Sequence, residues 1–70
     1  MPLFSFKEPA DLSRAQGALE VTWRLVKPLL DEPDLEREHA RLTFIIASLV
    51  PNTHDEQELI ERSIARYWQR

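Results

Sequence analysis

The sequence contains no cysteine, and Gly17 is its only glycine among 70 residues. The absence of cysteine excludes disulfide bonds and metal sites with thiolate ligands. The scarcity of glycine disfavours a turn-rich β fold and a glycine-rich loop for binding phosphate. Neither histidine has a serine and a carboxylate at a spacing that predicts nucleophilic catalysis. We therefore expect a protein without cofactor or enzymatic activity.

The chain also lacks a strong positive charge and a long apolar run. Its net charge of -3 argues against a nucleic-acid binder. The longest apolar stretch, residues 42–50, is far shorter than the roughly 20 residues that span a bilayer. Residues 1–9 have neither the basic start nor the apolar length of a signal peptide. These features predict a single domain in the cytoplasm, with no membrane partner.

Three segments have the apolar spacing of amphipathic helices, at about residues 10–30, 33–50 and 54–68. Pro33 suits the first turn of the second helix, and Pro51 should end that helix. Thr53 and Glu56 have the spacing of a capping box, which predicts the start of the third helix. The fold class is therefore all-α, with a three-helix domain preceded by an extended N-terminal arm at residues 1–8.

The first helix carries more apolar surface than one neighbouring helix can cover. Its first apolar stripe consists of Leu12, Ala15, Leu19, Thr22, Trp23, Val26 and Leu30. Its second stripe consists of Val21, Leu25 and Leu29. In the other helices, we expect the second half of the second helix to be buried nearly all round. In the third helix we expect Ile60, Ile64, Tyr67 and Trp68 to face inward, with Leu59 at the flank.

This surplus predicts a homodimer packed as a helical bundle, since large apolar side chains left in water lower solubility. The predicted interface residues are Leu3, Phe4, Phe6, Val21, Trp23, Leu25 and Leu29. The alternative is a monomer in which the arm and the third helix cover the second stripe. We thus expect a non-enzymatic module for self-association or for binding another protein.

A metal-binding bundle is a second hypothesis. Glu36 and His39 are three residues apart, so on a helix they project to one side, as in di-iron bundles. The string from Glu36 to Ala40 resembles the ligand helix of ferritin-like proteins, including the short encapsulated ferritins. That resemblance implies a further carboxylate from the first helix. Glu20 is the candidate, but in a simple hairpin its height differs from that of Glu36 by roughly 12 Å.

Two further patterns involve a histidine and a group of arginines. The string from His39 to Leu42 resembles the phosphorylated histidine of phosphotransfer bundles, without the lysine and glycine that usually follow. Arg62, Arg66 and Arg70 form a basic edge four residues apart. They support a third hypothesis, a weak nucleic-acid-binding regulator. The acidic start of the third helix opposes it because carboxylates repel phosphates.

The overall plan resembles that of short all-helical bacterial proteins of unknown function. The resemblance rests on Trp23, Ile45-Ile46, Asp55 and Leu59, and it extends over roughly residues 12–66. It implies an all-helical fold and no known activity. No site residues follow from it.

Overall fold

A computed structural model describes residues 8–69, which form three α-helices and no strand. The helices are α1 (Pro9–Val26), α2 (Leu35–Leu49) and α3 (Glu56–Tyr67). Short 3₁₀ turns at Lys27–Leu29, Glu32–Asp34 and Val50–Asn52 connect them. The predicted all-helical class is confirmed for this part of the chain. Except for Glu8, the predicted arm lies outside the described residues.

Prolines set the boundaries of the first two helices. The α-helical part of α1 ends at Val26, four residues before the predicted end, and Pro28 lies in the 3₁₀ turn that follows. Proline lacks the N–H that would continue the α-helical hydrogen bonds, so the backbone adopts the tighter 3₁₀ conformation there. Pro33 lies in the next 3₁₀ turn, and α2 begins two residues later at Leu35.

The start of α3 is capped by Asp55, not by Thr53 as the spacing predicted. The Asp55 carboxylate accepts a hydrogen bond from the Glu58 backbone N–H, with a distance of 2.7 Å. Glu58 in turn accepts one from the His54 backbone N–H at 2.7 Å. The Thr53 hydroxyl instead donates to the carbonyl of Leu49 at 3.1 Å, which ends the preceding turn. A side-chain cap therefore forms two residues later than predicted, and Glu58 bonds the residue before the cap rather than the cap residue itself.

The helices run up, down and up, so α1 and α3 are parallel. At one end of the bundle, the Arg14 side chain from the first half of α1 binds the carbonyl of Thr53, just before α3. At the other end, Arg41 of α2 binds the carbonyl of Tyr67 in the last turn of α3 at 2.9 Å. We call this second end, formed by residues 25–36 and 66–69, the turn end.

Small side chains let α1 and α3 approach closely in the core. Ala15, Ala18, Thr22 and Ser63 are all fully buried. The Thr22 hydroxyl donates to the carbonyl of Ala18 at 2.8 Å and so brings no unpaired polar group into the core. The larger members of the core are Leu19, Val26, Leu42, Ile45, Ile46, Val50, Leu59 and Tyr67.

The buried face of α3 differs from the predicted one by a rotation of about one residue. Leu59, Ser63 and Tyr67 are buried at intervals of four. Tyr67 faces inward as predicted, and Ile60 and Ile64 are partly buried against the core. Leu59, expected at the flank, is fully buried, whereas Trp68, expected inside, is 48% exposed. The apolar pattern failed here because the middle position of the true face is a serine. A small side chain suits this position, since it lets the helices approach closely.

The second half of α2 is covered on fewer sides than predicted. Phe44 is 75% exposed, although Leu42, Ile45 and Ile46 beside it are buried. One layer of two helices covers only one side of α2, so a side chain on the opposite side reaches solvent. None of the helices described in residues 8–69 is long and apolar enough to cross a membrane.

Candidate functional site

Exposed large apolar side chains concentrate at the turn end. Within residues 8–69, four such side chains are strongly exposed: Leu25 (59%), Leu29 (68%), Phe44 (75%) and Trp68 (48%). All except Phe44 belong to the turn end. Leu25 lies in the last turn of α1, Leu29 in the 3₁₀ turn after it, and Trp68 directly after α3. This surface is the candidate site.

The predicted interface residues of α1 fall into two groups. Val21 and Trp23 are half-buried, and Leu25 and Leu29 project into solvent. Trp23 already has a partner within the chain, because its ring stands edge-on to the ring of His39, with 4.8 Å between centroids and an angle of 86°. The exposed leucines are thus the part of the second stripe that no element in residues 8–69 covers.

Three of the predicted interface residues, Leu3, Phe4 and Phe6, lie outside the described residues. Trp68 is a member of the exposed surface that sequence reasoning missed, because its spacing from Ile60 and Ile64 placed it on the inner face. Its ring packs edge-on against Tyr67 at 4.9 Å between centroids. Trp68 directly follows the last residue of α3, and that position would have indicated that its side chain is exposed.

The turn end carries charges of both signs that are not paired with each other. Lys27 and Arg66 are exposed, and neither forms an ion pair within the described part of the chain. Asp31 and Glu32, in the connection between α1 and α2, are likewise exposed and form no ion pair within residues 8–69. Unpaired surface charges of opposite sign remain available to a second molecule.

A second group of charges lies nearby and is satisfied internally. Glu38 accepts a hydrogen bond from the Tyr67 hydroxyl at 2.7 Å and pairs with Arg41 at 3.1 Å and with Arg37 at 3.4 Å. The guanidinium of Arg41 also lies over the Tyr67 ring, 4.7 Å from its centroid. The hydrogen bond from Tyr67 holds the pKa of Glu38 below its ordinary value, and the arginines lower it further. This network fixes α3 to α2.

The concave features of the surface offer little to a small ligand. A cavity of about 350 Å³ is lined by Leu30, Asp34, Arg37, Glu38 and Arg41. Its charged groups already pair with one another, since Arg37 also binds Asp34 at 2.9 Å. A shallower groove of about 450 Å³ is lined by Leu49, Arg62, Ala65, Arg66, Trp68 and Gln69. The groove shares Arg66, Trp68 and Gln69 with the turn end.

The residues of the metal hypothesis are not assembled into a site. Glu36 is exposed, and His39 is half-buried against Trp23. Glu20 is exposed and pairs with Arg24 at 2.9 Å. In the part of the chain that the structure describes, no three histidine, aspartate or glutamate side chains are grouped so that they could hold a metal ion.

The basic edge of the third hypothesis is only partly free. Arg62 pairs with Glu58 at 3.2 Å, whereas Arg66 is exposed. Arg70 lies outside the described residues. A single arginine without an ion pair in residues 8–69 offers little to a nucleic acid, because binding of nucleic acid depends on neutralising several phosphates.

Comparison of the chain with protein families, with curated proteins and with solved structures finds no match in any of the three. The resemblance to short helical bacterial proteins therefore stays a prediction.

Proposed function

We propose that the protein is a non-enzymatic self-association module whose partner is a second copy of the same chain. The observation that carries the proposal is the exposure of Leu25, in the last turn of α1, and of Leu29, in the 3₁₀ turn that follows it. Two such leucines close together in the sequence are a larger apolar target than a single exposed side chain. Isolated exposed apolar residues are common, but a cluster of them indicates an interaction surface.

The free energy that the dimer gains by burying Leu25 and Leu29 is modest. Burying a leucine fully is worth about 1.5–3 kcal/mol, and Leu25 and Leu29 would each gain somewhat more than half of that. A symmetric dimer buries both leucines twice, which amounts to about 4–7 kcal/mol. Association costs about 4–15 kcal/mol in lost freedom. Burial of the leucines therefore offsets the lower part of this cost, and a reversible dimer requires further contacts as well.

The test is the native mass of the protein from low micromolar to millimolar concentration, by sedimentation or light scattering. We expect a rise from monomer to dimer. The double variant Leu25→Glu, Leu29→Glu should stay monomeric, since each copy would place carboxylates in the contact. Phe44→Glu is the matched control, because it places the same charge on an equally exposed apolar site away from the turn end. A wild-type chain that is monomeric throughout the range would refute the proposal.

The two alternative functions gain no specific observation from residues 8–69. A metal-binding bundle and a nucleic-acid-binding regulator each need several convergent groups. The structure offers Glu36 and His39 for the first and Arg66 for the second, each without a convergent set. We therefore propose no second function.

A further inference from the structure

We infer that the two copies meet through their turn ends about a two-fold axis, with the basic groups of each copy facing the acidic groups of the other. This inference rests on the proposed self-association and adds the surface, the symmetry and the charge pairing. It follows from the topology, from the exposed side chains and from the charges that residues 8–69 leave without partners.

The topology brings three exposed apolar side chains to one end of the bundle. Because α1 and α3 are parallel, the end of α1 and the end of α3 lie at the same side of the molecule. Leu25 and Leu29 come from the first, and Trp68 comes from the second. Tryptophan is enriched at the energetic centre of protein interfaces because it buries a large rigid area. The turn end thus exposes large apolar side chains from two parts of the chain, as an interface needs.

The charges at the turn end of one copy are complementary to the charges at the turn end of a second copy. Lys27 and Arg66 supply positive charge, and Asp31 and Glu32 supply negative charge, all exposed and all outside the ion pairs of the described residues. Glu36, at the start of α2, adds a further exposed carboxylate. In a two-fold interface each group meets a different group of the partner, and the pairing occurs twice. A surface with both signs on it can therefore attract a copy of itself.

The small area of the turn end limits how much surface two copies can bury. The molecule measures 34 by 26 by 19 Å, so a face across its long axis covers 26 by 19 Å. Two such faces bury about 1,000 Å², which is at the lower limit for specific interfaces. We therefore expect a weak, reversible dimer that forms within the low-micromolar to millimolar range of the mass measurement.

A charge-swap experiment tests the pairing. One chain carries Lys27→Glu with Arg66→Glu, and a second chain carries Asp31→Lys with Glu32→Lys. Each chain alone should dimerise at least about tenfold more weakly than wild type, because like charges then face each other at both contacts. An equimolar mixture should form a heterodimer within about threefold of wild-type affinity, since every facing pair is again of opposite sign.

Two controls separate this pairing from other effects. Glu8→Lys with Glu56→Lys makes two reversals at the opposite end of the bundle, where both glutamates are exposed, and should leave the dimer unchanged. Salt at about 1 M shortens the screening distance to about 3 Å and should reduce the difference between the swapped chains and wild type. Circular dichroism of each variant verifies that the helices are retained.

The outcomes are distinct for the two proposals. If wild type dimerises but the mixture of swapped chains is no tighter than each chain alone, the turn-end pairing is wrong and self-association stands. If Phe44→Glu dissociates the dimer and the swapped chains do not, the contact lies on the outer face of α2. If wild type never dimerises, both proposals fail together at that first measurement.

Discussion

Replacing Arg14 by alanine should destabilise the fold more than any other change of a single charged side chain described here. Its guanidinium donates to the carbonyl of Thr53 at 2.7 Å and to that of Val50 at 3.0 Å. It also pairs with Asp11 at 3.0 Å, and its side chain is only 15% exposed. One arginine thus ties the first half of α1 to the connection between α2 and α3.

The cost follows from the two carbonyl groups that Arg14 binds. The Thr53 carbonyl would lose its partner, and the Val50 carbonyl would keep only the longer bonds from the backbone N–H and the hydroxyl of Thr53, at 3.3 and 3.2 Å. A hydrogen bond from a charged donor is worth about 1.5–3 kcal/mol, and partial access to water reduces that value here. Thr53 and Val50 are both buried, so water replaces the guanidinium poorly. We expect Arg14→Ala to lower the free energy of unfolding by about 2–3 kcal/mol. For a domain of this size, that corresponds to a fall of about 10–20 °C in Tm.

Two further variants separate the hydrogen bonds from charge alone. Arg14→Lys keeps the charge but lacks the planar fork that reaches two carbonyls, so it should recover only part of the loss. Arg24→Ala removes an exposed arginine whose pair with Glu20 is open to solvent on both sides. That control should cost less than about 0.5 kcal/mol.

The assay is urea unfolding followed by far-ultraviolet circular dichroism. All variants should be compared at one protein concentration, because dimerisation would otherwise contribute to stability. If Arg14→Ala costs no more than Arg24→Ala, the guanidinium does not hold the connection between α2 and α3, and the reasoning fails.

Three more predictions concern the packing of α3. Gly17→Ala should stabilise the protein by up to about 1 kcal/mol, since a Cβ there meets only the flexible, exposed carboxylate of Glu56; a loss in urea unfolding would show that this side chain cannot move aside. Ser63→Ala should be neutral or stabilising, because within residues 8–69 the buried hydroxyl has no hydrogen-bond partner; a loss above about 1 kcal/mol would reveal a partner. Hydrogen bonding from Tyr67 depresses the pKa of Glu38 in the folded state. The stability that ionised Glu38 contributes is therefore present above its unfolded-state pKa and is lost as the pH falls through its folded-state pKa. Tyr67→Phe should raise the pKa of Glu38 in an NMR titration and weaken the acid dependence of stability; an unchanged pKa would contradict the assigned cause.

The helical class was predictable because apolar spacing and proline positions are local signals. The face of α3 was not, because the buried line runs through Ser63, and an apolar pattern assigns a serine to the surface. The exposure of Phe44 was also unexpected, since composition alone does not show how many neighbours surround α2. The cap at Asp55 was missed because Thr53 offers the same spacing two residues earlier.

The sequence contained part of the candidate site. Leu25 and Leu29 were recognisable as a second stripe, and both are exposed at the end of α1; their role in an interface stays a prediction. No sequence signal predicted the hydrogen bonds of Arg14, because its partners are backbone carbonyls 36 and 39 residues away. Charge complementarity at the turn end also depends on topology, which alone brings Arg66 to the same end as Asp31.

Binding of a second copy at the exposed end of the bundle can be measured by sedimentation equilibrium over a wide concentration range, on wild type and on the Leu25→Glu, Leu29→Glu variant. We expect a concentration-dependent dimer for wild type and a monomer for the variant. Identical masses for the two proteins at every concentration would contradict it.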